Sequence, residues 1–207
     1  YYDWLSKAVQ GDFGISIYLK TPVSEIIFKR APTTMTLGAC ALAFALILSI
    51  PLGVLAAMYP NTIVDRAALT IAVVGQALPS FFFALILIII FGVWLRWLPI
   101  SGHASWMNFV MPSVALGYYA TPAIMRLTRA GMMDVMSSDY IRTARAKGLR
   151  PSAVLFKHAL RNAIIPVVSL SAVQLGFMLG GSIVIETIFS LNGLGNLAWQ
   201  SIQRSDF

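Results

Sequence analysis

Apolar positions in this chain do not recur at a helix or strand period; they run together in long blocks. Four stretches, 31–64, 67–95, 97–125 and 162–185, contain no Asp, Glu, Lys or Arg. An α-helix crosses the hydrocarbon core of a bilayer with about 20 apolar residues, and each block exceeds that. The pattern predicts an all-α, polytopic membrane helix bundle. Its four transmembrane helices fall at about 33–58, 69–95, 109–128 and 164–188. Tyr59-Pro60-Asn61 ends the first, and Asp65 and Arg66 mark a short polar turn. Gln76 to Pro79 interrupts the second. Pro51, Pro112 and Pro122 lie inside spans, which membrane helices tolerate where neighbours satisfy the freed carbonyls.

The charges that remain set the direction. Eight of the 15 basic residues lie from Arg126 to Arg161, against Asp134 and Asp139. Positive loops stay in the cytoplasm, so the loop at about 129–163 is cytoplasmic, and the Asp65-Arg66 turn shares its side. The 98–107 loop and both ends of the chain then face the periplasm of a bacterial inner membrane. The expected division is a periplasmic segment over 1–30 and a membrane domain over 31–207. The chain starts at Tyr1 with no signal peptide. A further span is therefore expected before Tyr1, and one more can follow Phe207.

Composition adds exclusions. The chain is 58% hydrophobic and 11% charged, against about 25% charged in soluble domains. Its net charge of +7 sits in a loop between spans, which favours topology and lipid contact and excludes nucleic acid. Cys40 is the single cysteine and forms no internal disulfide. There is no Gly-x-x-x-x-Gly-Lys-[Ser/Thr] phosphate loop. His103 and His158 fall on opposite sides of the predicted membrane, and no Ser-His-Asp set is indicated. The reading is non-catalytic, with no metal and no cofactor on this chain.

Within the cytoplasmic loop, Asp139-Tyr-Ile-Arg-Thr-Ala-Arg-Ala-Lys-Gly148 predicts a helix capped by Asp139 and stopped by Gly148. Pro151 suits the first turn of a second short helix to about Leu160. The alanines of the first helix suit docking to protein rather than to lipid.

This stretch, with His158-Ala-Leu-Arg-Asn-Ala163 and Pro166, resembles the EAA loop of binding-protein-dependent ABC permeases. Four further stretches agree in order: Ala8-Val-Gln-Gly-Asp-Phe-Gly14, Trp97-Leu-Pro-Ile-Ser-Gly102, Met111-Pro-Ser-Val-Ala-Leu-Gly117 and Glu186-Thr-Ile-Phe-Ser-Leu-Asn-Gly-Leu-Gly195. The likeness is to the dipeptide, oligopeptide, nickel and glutathione importer group, and most to its glutathione and dipeptide types. Aligned on Gly148, the Glu-Ala-Ala positions of the general pattern hold Arg142, Thr143 and Ala144, a departure that the peptide-type group shares. Asn192 stands where relatives often have Pro.

The resemblance implies a type I ABC importer permease, carrying small peptides, with nickel as the alternative cargo. A channel or secondary carrier is the alternative from another class. Implied partners are a second homologous permease, two cytoplasmic ATPase subunits that hold ATP and Mg, a periplasmic substrate-binding protein and membrane lipid. The implied ATPase-coupling residues are Arg142, Thr143, Ala144, Arg145, Ala146, Lys147, Gly148, Leu149, Ser152 and Leu155.

Polar and aromatic groups at membrane depth need partners or a wet cavity. Gln76, Ser80, Tyr118, Tyr119, Ser171 and Gln174 are accordingly candidates for the translocation path. Ser171 and Gln174, three residues apart, share a helix face. Glu186 ends the fourth span, where a carboxylate reaches water, and is a candidate for the outer gate or for contact with the substrate-delivering protein. Arg126 and Arg129 read as snorkelling cations. Gly176-x-x-x-Gly180 fits packing within the chain or against a partner permease.

Overall fold

A computed structural model describes residues 6, 9–11, 13–102 and 105–206 and, at Gly75 and Gln76, the backbone only. Helix α1 (Val23–Met58) runs through Pro32 and Pro51. Helices α2 (Ile63–Ala77) and α3 (Ser80–Leu87) follow, the latter continuing as a wider π-helical segment, Ile88–Trp94. After the 95–106 connection come α4 (Met107–Tyr118) and α5 (Thr121–Ser137). Helix α6 (Asp139–Ala146) leads to a π-helical segment, Ala153–Leu160, extended by α7 (Arg161–Ala163). Helix α8 (Ile165–Ile188) and α9 (Leu194–Arg204) complete the chain.

Helices α1 and α8 are each long and apolar enough to cross a membrane. The other two predicted spans are each two shorter pieces, and proline is the reason. The residue before a proline is driven out of the helical region, and Leu78, before Pro79, sits at φ −96° and ψ 132°. In the third span Pro122 has no N–H, and its ring would collide with the carbonyl four residues earlier. Helix α4 ends there, at Tyr118, and α5 starts with Pro122 in its first turn.

Other boundaries shift as well. Helix α1 starts at Val23, ten residues before the predicted span, so part of the expected 1–30 segment is helical. Helix α5 runs to Ser137, so the first nine residues assigned to the cytoplasmic loop extend the third span. Helix α8 matches its prediction to within one residue.

Close contacts give the directions. A Cβ built on Gly117 would collide with the Ala41 carbonyl oxygen, and one on Gly53 would stand 2.7 Å from Thr128 Cβ. Between them, Ser49 Oγ donates to the Thr121 carbonyl at 3.0 Å. Contacts that advance together on both partners make α1 parallel to α4 and α5, as first and third spans must be. Small residues permit this close approach of membrane helices. Against α8 the order reverses: Thr34 meets Glu186 and Gly38 meets Leu179. One end of the bundle therefore carries the 59–65 turn and the basic loop. The other carries the 95–102 connection, the turn after α8 and both ends of the described chain, where Ser16 Oγ donates to Asp206 at 2.5 Å. That hydrogen bond holds the Asp206 carboxyl below the usual carboxylate range.

The main core gathers Leu37, Ala41, Met111, Ile124, Met178 and Phe189. A second cluster joins Val54 and Met132 to Ile141, Ala144, Val154 and Ala159, and so seats the basic loop on α1 and α5.

Candidate functional site

The basic loop is a helix, a tight turn and a second helix. Ser138, not Asp139, precedes the first helical residue, and neither caps it through a side chain. Asp139 is instead the first residue of α6, and its carboxylate pairs with Arg142 one turn on. The other end follows the prediction. Gly148 has φ +75°, Leu149 N–H donates to the Ala144 carbonyl and Gly148 N–H to that of Arg145. These are the two bonds of a Schellman stop, whose left-handed residue glycine adopts without strain.

The turn divides the predicted coupling residues into two sets. Ala144 is buried with Ile141 and Val154, and Leu155 is half-buried against the same cluster. Arg142, Thr143, Arg145, Ala146, Lys147, Gly148, Leu149 and Ser152 are exposed. Arg145, Leu149, Ser152 and Leu155 line a groove of about 630 Å³ with Met58 and Phe156. Phe156 is 61% exposed and was not singled out, although an aromatic in a basic loop was a readable signal. The loop thus presents a cationic surface with an apolar groove, packed from behind on α1 and α5.

At mid-bundle a cavity of about 470 Å³ is lined by Ser80, Tyr119, Gln174, Phe177, Met178 and Gly181, among others. Three of the six predicted path residues meet there. Tyr118 turns away: its hydroxyl donates to the Ile71 carbonyl at 2.7 Å and its ring leans on Phe83. Ser171, the favoured partner of Gln174, is buried and donates to the Val167 carbonyl one turn back at 2.7 Å. The Gln76 side chain and His103 lie outside the described residues. A Cβ on Gly176, Gly180 or Gly181 would meet nothing within 4 Å, so the glycine motif does not pack within the chain.

Glu186 does not reach water. It is fully buried, and Thr34 donates to its Oε1 at 2.7 Å while the Asn196 N–H donates to Oε2 at 2.9 Å. The Ser182 hydroxyl lies 3.0 Å from Oε1, with the Leu179 carbonyl as alternative acceptor. The carboxylate sits in a bracket made by α1, α8 and the first turn of α9. In this structure the carboxylate offers no atom to the surface.

Arg129 is not a snorkelling cation either. Its Nε and Nη2 donate to the two oxygens of Asp65, each at 2.7 Å. The Asp65 side chain is 4% exposed and also accepts from the Asn61 N–H. The pair joins the start of α2 to α5, one helix before the basic loop. The hydrogen bonds from Arg129, then that from Asn61, hold the Asp65 carboxyl below the usual carboxylate range.

Comparison with known proteins gives the family and the fold. Residues 49–207 match the family model described as binding-protein-dependent transport system inner membrane component. The chain is 43% identical over all 207 residues to the glutathione transport system permease protein GsiC of Escherichia coli K12, covering 68% of that protein. It is 42% identical, with the same coverage, to GsiC of Pectobacterium atrosepticum. Among solved structures, its fold is similar to an amino acid ABC transporter crystallised with histidines. The TM-score is 0.62 at 16% identity, over 89% of this chain and 82% of that one. The chain belongs to the binding-protein-dependent inner-membrane transport components, the permeases of ABC importers.

Proposed function

We propose that this permease carries short peptides of the glutathione class, and that its basic loop receives the motion of separate cytoplasmic ATPase subunits. One observation carries the coupling role: the unit from α6 through the Ala153–Leu160 segment is packed on α1 and α5 through Ala144, Ile141 and Val154, yet leaves Arg145, Leu149 and Phe156 exposed. An ATPase outside the membrane moves the spans only through an element that grips both sides. The end bearing this loop faces the cytoplasm, and the ends of the described chain face the periplasm, where a substrate-binding protein docks. A second, homologous permease covers the α8 face that bears Gly176 and Gly180. The Ser80, Tyr119 and Gln174 cavity lies on the path. ATP and Mg belong to the ATPase subunits, and this chain catalyses no bond change. The peptide class rests on the likeness to GsiC over the whole chain.

The test is the ratio of uptake to ATP hydrolysis in the reconstituted complex. Gly148→Asp and Arg145→Glu are expected to lower uptake about tenfold, the scale of mutations in a coupling path, while hydrolysis continues and membrane insertion is unchanged. Wild-type ratios in both variants would remove the coupling assignment. Uptake of an unrelated solute in place of glutathione, by complexes with wild-type coupling, would remove the substrate assignment alone.

A further inference from the structure

The basic loop does not join α8 through a coil. The backbone is right-handed helical at Ser152, Arg161 and Ile164. One helical rod therefore runs from the groove-lining residues Ser152, Leu155 and Phe156 through α7 into α8. Hydrogen bonds carry it past Pro166, at the head of α8: the Ile164 N–H donates to the Leu160 carbonyl at 2.9 Å and the Val168 N–H to that of Ile164 at 3.0 Å. Further on, the same rod lines the mid-bundle cavity with Gln174, Phe177, Met178 and Gly181. Its winding is not uniform. Ala153–Leu160 is π-helical, each turn closing five residues on rather than four. Such stretches are rare, are mostly one turn long and recur at functional sites.

The burial pattern has the same spacing. Val154 and Ala159, five residues apart, are both buried in one cluster. Leu155 and Leu160, packed against that cluster, repeat the interval. Ala163 then follows Ala159 by four, seated so closely that a Cβ on Gly131 of α5 would stand 3.0 Å from its carbonyl oxygen. On an α-helix the residues that share the face of Val154 are three and four further on. Those are Lys157, which is exposed, and His158. Wound as α with every residue kept, the rod cannot seat both Val154 and Ala159. The segment therefore holds one residue more than an α-helix needs between two seats. One seat is Val154, beside the groove; the other is Ala159 with Ala163, at the foot of α8.

We infer that Ala153–Leu160 is a winding switch, π in this structure, that passes to α when the ATPase loads the groove and so turns the groove half of the loop against α8. This rests on the coupling role proposed above and gives it a moving part. The two windings differ in hydrogen-bond register, so the element has two discrete states rather than a soft joint, as transmission of a motion requires. The step is that of one residue, roughly 100° and 1.5 Å on an α-helix. Val154 leaves its seat in that step, while Ala159 and Ala163 keep theirs and hold α8.

Deletion of Lys157 removes the spare residue. Val154 and Ala159 then lie four apart, an α-helix seats both, and the switch has nothing left to take up. In the reconstituted complex the deletion is expected to preserve assembly and ATP hydrolysis and to lower the ratio of uptake to hydrolysis about tenfold. Lys157→Ala, which keeps the residue count, is expected to keep the wild-type ratio. A second measurement stands even if the deletion variant does not assemble. Spin labels at Arg150→Cys and Arg161→Cys, both exposed, in a Cys40→Ser background, report the length of the segment. A wider helix rises less per residue, so their separation is expected to grow by about 1.5–3 Å, one or two residue rises, from the nucleotide-free complex to the complex trapped with ATP and vanadate. The switch is overturned by a wild-type ratio in the deletion variant, by an equal loss in Lys157→Ala, or by an unchanged label distance. Uncoupling by Gly148→Asp and Arg145→Glu beside any of these results removes the switch and leaves the coupling role standing. Wild-type ratios in those two variants remove the coupling role itself.

Discussion

Arg129→Gln is expected to reduce transport by about tenfold or more, and to do so more severely than Asp65→Asn. The asymmetry follows from where each partner sits. The Asp65 side chain is 4% exposed and that of Arg129 is 23% exposed. Removing the guanidinium leaves a nearly buried carboxylate with only the Asn61 N–H, the expensive way to break such a pair. Removing the carboxylate leaves an arginine that can still reach water by extending its stem. The exchanged pair, Asp65→Arg with Arg129→Asp, is expected to recover part of the loss, because the bidentate geometry needs one partner on each helix. The pH dependence has a definite sign. The Asp65 carboxyl is held below the usual carboxylate range by Arg129 first and by Asn61 next. A depressed carboxyl stabilises the folded state above its unfolded value and loses that contribution as pH falls through its folded value. The stability gap between wild type and Arg129→Gln is therefore largest near neutral pH and closes in acid. A gap that stays constant down to strongly acidic pH, or equal losses from the two single variants, would show that the pair does not join α2 to α5 as described.

What the sequence made legible was local, and what it hid was distant. The charge-free blocks located α1 and α8, since the cost of charge in hydrocarbon is paid residue by residue. The stop at Gly148 was readable for the same reason: a Schellman turn involves only five or six consecutive residues. The interruption at Pro79 was anticipated, whereas the division at Tyr118 before Pro122 was not, because prolines inside membrane helices are often tolerated. Asp65 and Arg129 stand 64 residues apart, and each alone reads as an ordinary interfacial charge. Only the parity of the spans puts them at one end of the bundle, and parity does not choose a partner. Of the path residues, Ser80, Tyr119 and Gln174 converge on one cavity, but the shared face of Ser171 and Gln174 proved uninformative. A serine hydroxyl in a membrane helix has a ready acceptor one turn back, and Ser171 uses it. Glu186 stands at the expected end of its span, and its burial was hidden because the cover comes from the segment after α8, which folds back over it. Ser190 makes that turn in the left-handed region, φ +52°, at a residue type for which the conformation is uncommon. Gly193 lies against the Glu186 carboxyl group and Gly195 against the Ile183 backbone, close approaches that the spacing of two glycines alone does not reveal.

Glu186→Ala is expected to lower the stability of the assembled permease by about 2 kcal/mol or more. Three donors lose their shared acceptor, and two of them, the Thr34 hydroxyl and the Asn196 N–H, are stranded at roughly 1–3 kcal/mol each, while Ser182 turns to the Leu179 carbonyl. Those donors belong to three segments: Thr34 on α1, Ser182 on α8 and the Asn196 N–H in the first turn of α9. Thr34 also accepts from the Leu194 N–H at 2.8 Å, so its hydroxyl relays the same bracket. Glu186→Gln is expected to be milder. Its amide oxygen can serve Thr34 and Ser182, while its amide nitrogen then confronts the Asn196 N–H, donor to donor. The decisive variant is Gly193→Ala. Gly193 has φ −101°, a backbone that alanine accepts, so any cost comes from space. An added Cβ would meet the Glu186 carboxyl group, which is pinned by its own hydrogen bonds and cannot swing aside cheaply. Gly193→Ala is therefore destabilising in the wild-type background and nearly neutral once Glu186 is alanine. The two changes are measured as a double-mutant cycle by thermal unfolding of the assembled complex. Close neighbours that share one interaction give non-additive effects, and independent sites give sums. Additivity in this cycle would mean that Glu186 does not hold the turn between α8 and α9. Strong non-additivity, with uptake falling in step with assembly and with no separate loss of binding-protein docking, is the result that a buried bracket requires and that a gate in contact with water does not.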